Sequence, residues 1–211
     1  MGYDLYVVTD EQIGRGRSHA ELAARAVAGG ADVVQLRDKN LSGRDLFSAA
    51  LAIREITSDA GALFIVNDRL DIALASGADG VHLGAGDLPI REARRIAPAG
   101  FIIGASVGST ATAVQAAAQG ADYVALSPTF ATGSKNDAGP GHGLTMLSEI
   151  RTAVSLPLVA IGGITADNVG DVIAAGADGI AVISAFVGEA DVTAAARDLR
   201  SRIAAAKAKR R

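Results

Sequence analysis

Three cations, Arg37, Lys39 and Lys135, and two carboxylates, Asp68 and Asp87, stand on segments that follow short β-branched runs of this chain. Gln35, Asn67, His82, Ser106, Thr132 and Ser134 are interspersed with them, and Gly162-Gly163 and Ile183-Ser184 close two further runs. Cations, amides and hydroxyls are the donors that hold phosphate through charge-assisted hydrogen bonds. Two carboxylates suit a hard divalent cation that takes its remaining oxygens from water and phosphate. Collected on one surface, these residues describe a site for a phosphorylated ligand and a divalent ion. No His-x-x-x-His spacing surrounds His82, so zinc is not indicated. Each group also has a plainer use. Asn67-Asp68 resembles a turn and helix cap, Asp87 precedes a helix start at Pro89, Arg37 and Asp38 could pair with neighbours, and Gly162-Gly163 could serve tight turning alone.

The elements that must position these residues are announced by a repeat. Gly-Gly-Ala-Asp-Val-Val at 29–34, Ser-Gly-Ala-Asp-Gly-Val at 76–81, Gln-Gly-Ala-Asp-Tyr-Val at 119–124 and Ala-Gly-Ala-Asp-Gly-Ile at 175–180 each close an Ala-rich helical stretch with Gly and open a β run. Strand-like runs fall at 5–8, 32–36, 63–66, 79–83, 101–105, 122–126, 157–161 and 178–183. Helical spacing covers 18–29, 42–60, 89–97, 110–119, 143–154, 165–175 and 190–207, with a brief helix at 69–76. Runs such as Leu63-Phe64-Ile65-Val66 are apolar on both faces, as a buried parallel sheet requires. The pattern predicts an α/β chain, one (β/α)8 TIM barrel over 1–211, with the candidate residues on the rim at the C-terminal ends of the strands. An open doubly wound sheet is the alternative, and no Gly-x-Gly-x-x-Gly follows the first strand to favour it. The loop at 128–143 is long for a βα connection and is expected to be a ligand clamp.

Composition narrows the classes. The 211 residues are 49% hydrophobic and 20% charged, enough for one sizeable core. With no Cys there is no disulfide framework, thiolate zinc site or thiol nucleophile. A formal net charge of −3 argues against nucleic acid as a partner, so an anionic ligand must be held by local charges. No apolar run approaches the ~20 residues of a membrane span, and Met1-Gly2-Tyr3-Asp4 opens nothing like a signal peptide, so a cytoplasmic protein with no membrane partner is expected. The basic Lys207-Ala208-Lys209-Arg210-Arg211 is read as a solvated helix tail. Oligomeric state is not legible.

Seven phrases in order, each at a strand end, make the chain resemble the thiamine phosphate synthase family over essentially its whole length. They are Gln35-Leu36-Arg37-Asp38-Lys39, Ile65-Val66-Asn67-Asp68-Arg69, Gly80-Val81-His82-Leu83-Gly84 with Asp87, Gly104-Ala105-Ser106, Phe130-Ala131-Thr132-Gly133-Ser134-Lys135, Ile161-Gly162-Gly163-Ile164 and Val182-Ile183-Ser184-Ala185. That family is a (β/α)8 fold that joins hydroxymethylpyrimidine diphosphate to thiazole phosphate with Mg2+ and releases diphosphate. The resemblance implies that Gln35, Arg37, Lys39, Asn67, Ser106 and Lys135 meet the pyrimidine diphosphate, with Leu36 and Asp38 in the same substrate-binding run. It implies Asp68 and Asp87 as magnesium ligands, and Thr132, Gly133, Ser134, Gly163, Ile183 and Ser184 at the thiazole phosphate. Arg37, Lys39, Lys135 and Ser106 become the expected catalytic set, acting on departing charge rather than as nucleophiles. Gly163 is expected to let the backbone approach the thiazole phosphate.

Two departures bear on this. Ala85-Gly86 precede Asp87 where the family commonly places Gln and an acidic residue, and Gly108 stands where many synthases carry a His. The sister thiazole tautomerases resemble this barrel but carry a His beside this Ser-Val and usually lack the metal carboxylates. They remain an alternative, as does a phosphate-binding barrel without turnover.

Overall fold

The computed structural model describes residues 2–133 and 139–210, so Ser134 and Lys135 lie outside the described residues. Its strands are β1 (Leu5–Thr9), β2 (Val33–Leu36), β3 (Leu63–Asn67), β4 (Gly80–Leu83), β5 (Ile102–Val107), β6 (Tyr123–Leu126), β7 (Leu158–Ile161) and β8 (Gly179–Val182). They form a closed parallel barrel in sequence order, with β8 hydrogen-bonded back to β1. The helices are α1 (His19–Ala28), α2 (Gly43–Ala60), α3 (Leu70–Ala75), α4 (Ile90–Ile96), α5 (Thr110–Ala118), α6 (Gly143–Ala153), α7 (Val169–Ala174), α8 (Ser184–Val187) and α9 (Val192–Arg210). The chain is thus a single (β/α)8 barrel.

The repeated Gly-Ala-Asp phrase proves to be a staple for the end of the barrel opposite the rim. In each copy the glycine (Gly30, Gly77, Gly120, Gly176) takes a positive φ, and the N–H of the following alanine reaches back to the preceding helix, as Ala31 does to Ala26. Each aspartate then grips the first residues of the previous strand twice. The N–H of Asp79 donates to the Phe64 carbonyl at 2.9 Å while the Phe64 N–H donates to Asp79 Oδ2 at 2.7 Å. Asp32 with Leu5, Asp122 with Ile103 and Asp178 with Leu158 repeat this geometry. An arginine pairs with each carboxylate: Arg200, Arg54, Arg94 and Arg151 in chain order of their partners. The four staples fall on β1/β2, β3/β4, β5/β6 and β7/β8, which is why the phrase occurs four times and not eight.

Three expectations need correction. The helix expected from 165 begins at Val169, because the Thr165 N–H donates to Asn168 Oδ1 at 2.9 Å and the segment before it forms a rim turn. The four-residue α8 was not foreseen. The basic C-terminus is a helix end with Ala208, Lys209 and Arg210 exposed, but it is tied down at two points: Lys207 Nζ lies 2.8 Å from Asp4 Oδ1, and Arg210 donates to the carbonyls of Ile173 and Ala177 at 3.0 and 2.9 Å. These contacts carry α9 on to Arg210. Among the described residues no helix is long and apolar enough to cross a membrane.

Candidate active site

At the rim, β2 ends in Gln35 and the wholly buried Leu36, so the side chain of Leu36 lies in the core. Arg37 Nη1 is 3.0 Å from Asp10 Oδ2, an acceptor just past β1 that the sequence reading did not single out. Asp38 spends its carboxylate on its own loop: Oδ1 accepts the N–H of Asn40 at 2.7 Å and of Leu41 at 2.9 Å, and Oδ2 faces His19 Nε2 at 3.3 Å. Burial works to raise its pKa, but the two backbone donors and His19 outweigh that and hold it below the usual carboxylate range. Lys39, next in the chain, is exposed and its Nζ lies 3.6 Å from Asp68 Oδ2.

β3 ends at Asn67, and Asp68 turns away in the left-handed region at φ 62, a conformation costly for a residue other than Gly and tolerated best by Asn and Asp. Its N–H donates to the His82 carbonyl at 2.9 Å, which fixes the turn against β4. Asp87 is held from the other side, its Oδ2 accepting the Gly84 N–H at 2.7 Å. The two carboxylates are within hydrogen-bonding reach of each other. Burial, and then the neighbouring Asp87, push Asp68 up to about 6, against the pull of Lys39 and Arg37. Arg37, Lys39, Asn67, Asp68, Asp87 and Ser106 line one cleft of about 460 Å³.

The floor beneath is a hydrogen-bonded chain across the barrel. Gln35 Nε2 donates to Tyr6 Oη at 2.6 Å, Tyr6 Oη lies 2.9 Å from Tyr123 Oη, Tyr123 Oη 2.9 Å from His82 Nδ1, and His82 Nε2 2.9 Å from Ser106 Oγ. Desolvation raises both tyrosine hydroxyls well above their ordinary range, so both keep their protons. Gln35 donates into the chain; beyond it either tyrosine hydroxyl can donate to the other, and the tautomer of His82 decides whether Ser106 Oγ accepts from the ring or donates to it. Tyr6 and Tyr123 were missed because an aromatic in a strand reads as core. The available signal was Gly104 opposite: a Cβ there would fall 2.0 Å from the Tyr123 ring.

A second, much smaller cavity of about 20 Å³ adjoins through Ser127 and Pro128 and is lined by Thr132, Gly163, Ile183 and Ser184 among others. Gly133 is exposed beside it, Ile183 is buried and Ser184 exposed. Gly163 has φ 64, and a Cβ there would lie 2.6 Å from the Ala131 carbonyl oxygen and 2.7 Å from Phe130 Cβ. A glycine there makes room for the 128–133 segment packed on it, whose Phe130 N–H donates to the Gly162 carbonyl at 3.0 Å. Gly108 likewise faces protein: its missing Cβ would meet the His142 ring at 3.0 Å.

A profile of the family described as thiamine monophosphate synthase matches residues 5–186. The chain is 81% identical over 211 residues to thiamine-phosphate synthase of Methanoculleus marisnigri, covering 100% of both, and 64% identical to that of Methanoregula boonei, covering 98% and 96%. Among solved structures it superposes on thiamine phosphate pyrophosphorylase from Pyrococcus furiosus with a TM-score of 0.90 at 43% identity, covering 97% and 96% of the two chains. The likeness to 3-hexulose-6-phosphate synthase, TM-score 0.75 at 23% identity over 94% of this chain and 99% of that one, is one of fold alone. With its barrel, its paired carboxylates and its cations on one rim, the chain belongs to the thiamine monophosphate synthase family.

Proposed function

We propose that this rim is the active site of a transferase that joins hydroxymethylpyrimidine diphosphate to thiazole phosphate, giving thiamine phosphate and diphosphate. The observation that carries the reading is the single cleft holding Arg37 and Lys39 beside the Asp68–Asp87 pair. The names of the relatives point the same way. The bond that breaks is between the pyrimidine methylene carbon and the diphosphate oxygen, and the electron pair leaves with diphosphate. The thiazole nitrogen supplies the pair for the new carbon–nitrogen bond. Arg37 and Lys39, with Lys135 from outside the described residues, bind and neutralise the leaving group. Gln35, Asn67 and the Ser106 hydroxyl orient the pyrimidine. Such a site works by placement and electrostatics and needs no side-chain nucleophile.

Asp68 and Asp87 would hold Mg2+. Two adjacent carboxylates, one of them raised by burial and by its neighbour, are a donor set a hard cation relieves, and the remaining ligands would be water and diphosphate oxygens. Among the described residues no set of three or more His, Asp or Glu is arranged for a metal. The ion would supply Lewis-acid charge at the leaving diphosphate. The smaller cavity, with Thr132, Gly163, Ile183 and Ser184, is assigned to the thiazole phosphate, together with the neighbouring Gly133 and with Ser134, which lies outside the described residues.

The deciding experiment is diphosphate release by the purified protein with both substrates and Mg2+. Release that requires both substrates supports the transferase. Isomerisation of the thiazole without release points to a tautomerase, and binding without turnover to a phosphate-binding barrel.

A further inference from the structure

We propose that His19 is a positioning residue for the diphosphate clamp, anchoring Asp38 and through it the loop that carries Arg37 and Lys39. The proposal rests on the reading of the rim as a diphosphate site. His19 opens α1, is 1% exposed, and touches none of the residues assigned to substrate except through Asp38. Its ring bridges two strand ends: Nδ1 lies 2.7 Å from Thr9 Oγ1 at the end of β1, and Nε2 lies 3.3 Å from Asp38 Oδ2 just past β2. The Thr9 hydroxyl also reaches the Gln35 carbonyl at 3.2 Å, and the ring donates from Nε2 to Asp38 Oδ2 when it is neutral with its proton on Nε2 or when both nitrogens are protonated. The other charged neighbour is Glu11, which accepts the His19 N–H at 2.7 Å and lies 4.0 Å from Nε2.

A buried imidazole with both nitrogens engaged is costly to keep without a task, and its task here is mechanical. Asp38 gathers the N–H groups of Asn40 and Leu41, and His19 ties that knot to the barrel. Released from His19, Asp38 and Lys39 would swing as one segment, and the clamp would need to be ordered by each incoming diphosphate.

The test compares His19→Gln, whose amide nitrogen sits where Nε2 does, with His19→Asn, which keeps a donor toward Thr9 but cannot reach Asp38. Calorimetric affinity for inorganic diphosphate with Mg2+, KM for each substrate and hydrogen exchange at Asn40 and Leu41 are measured on the full chain. The expected result for His19→Asn is a rise of about 5- to 30-fold in diphosphate Kd and in KM for the pyrimidine diphosphate. KM for thiazole phosphate should stay within about twofold, and exchange should quicken at both amides. His19→Gln should return within about threefold of wild type. Equal behaviour of the two variants, or a parallel rise for both substrates, overturns the proposal. If His19→Asn does not fold, Thr9→Val is assayed instead: a smaller rise confined to the pyrimidine diphosphate is expected, and no change overturns the proposal. A wild-type protein that binds no diphosphate overturns the site reading and the proposal together, whereas wild-type binding that both His19 variants retain overturns the proposal alone.

Discussion

Lys39 Nζ lies 3.6 Å from Asp68 Oδ2, so a cation assigned to phosphate and a carboxylate assigned to metal neutralise one another across the mouth between β2 and β3. Lys39 is 61% exposed, and a pair this open is worth at most about 1 kcal/mol, little enough for both partners to be exchanged when substrate and ion arrive. The Asp68 to Asp87 contact works in the opposite sense. It is a standing repulsion, relieved by a proton at low pH.

Asp68→Asn should therefore stabilise the metal-free protein while abolishing turnover. Asp68 is raised from 3.8 to about 6 in the fold, so between those values the native state binds more protons than the unfolded chain. Stability of the metal-free protein then falls as pH rises from about 4 to 6 and stays reduced above, by on the order of 1 kcal/mol after allowing for solvent screening. Thermal melts in chelator across pH 4–8 should show this slope in wild type and not in the variant, which also keeps the left-handed turn because Asn tolerates it. Added Mg2+ should raise the wild-type Tm, more strongly above pH 6, and leave the variant unmoved. A variant that turns over at the wild-type rate removes Asp68 from the metal site.

Arg37→Ala should weaken diphosphate binding by about 10- to 150-fold, the loss of a charge-assisted contact of about 1.5–3 kcal/mol. Asp10→Asn should do less, because the guanidinium survives and loses only the carboxylate that holds it at 3.0 Å. Titration calorimetry with Mg2+ and diphosphate separates the two. An Asp10 variant as weak as the Arg37 variant would mean that orientation, not charge, dominates.

The barrel was legible because its signals are local: apolar runs on both faces, glycine-closed helices and a phrase that repeats. The rim was legible because residues just past parallel strands must converge. What escaped was whatever depends on contacts between distant strands. Tyr6 and Tyr123 read as core aromatics, yet their hydroxyls join Gln35 to His82 through the barrel. Asp10, which holds Arg37, lies in a segment with no periodicity to mark it, and His19, which holds Asp38, opens a helix whose spacing marks the helix and not the contact. Asp38 and Leu36 were grouped with the ligand contacts because they sit between residues that face the cleft, and only the fold separates a side chain that faces the site from one that supports it.

Asp79→Ala tests the staple at the far end of the barrel. It leaves the Phe64 N–H without its 2.7 Å acceptor and Arg54 without its partner. An unsatisfied buried N–H costs about 1–3 kcal/mol, so the urea midpoint should drop accordingly while KM for both substrates holds, because the staple lies a full strand length from the rim. A shift in either KM would show that the two ends of the barrel are coupled.

Gly163→Val separates ligand room from loop support. Were the glycine kept for the thiazole phosphate, a side chain there would raise KM for that substrate alone. The structure puts the missing Cβ against the Ala131 carbonyl at 2.6 Å and Phe130 Cβ at 2.7 Å, and φ 64 strains any replacement. The 128–133 segment must move to admit valine, and that segment carries Thr132 and continues in sequence to Ser134 and Lys135, which were assigned to different substrates. Both KM values should therefore rise together, by about tenfold or more, with a stability loss of about 1–3 kcal/mol from backbone strain. Ser184→Ala is the control, since Ser184 is exposed beside the smaller cavity and supports no loop, and it should affect thiazole phosphate only. A Gly163→Val enzyme impaired for thiazole phosphate alone would show that the segment accommodates the side chain and that the glycine serves the ligand after all.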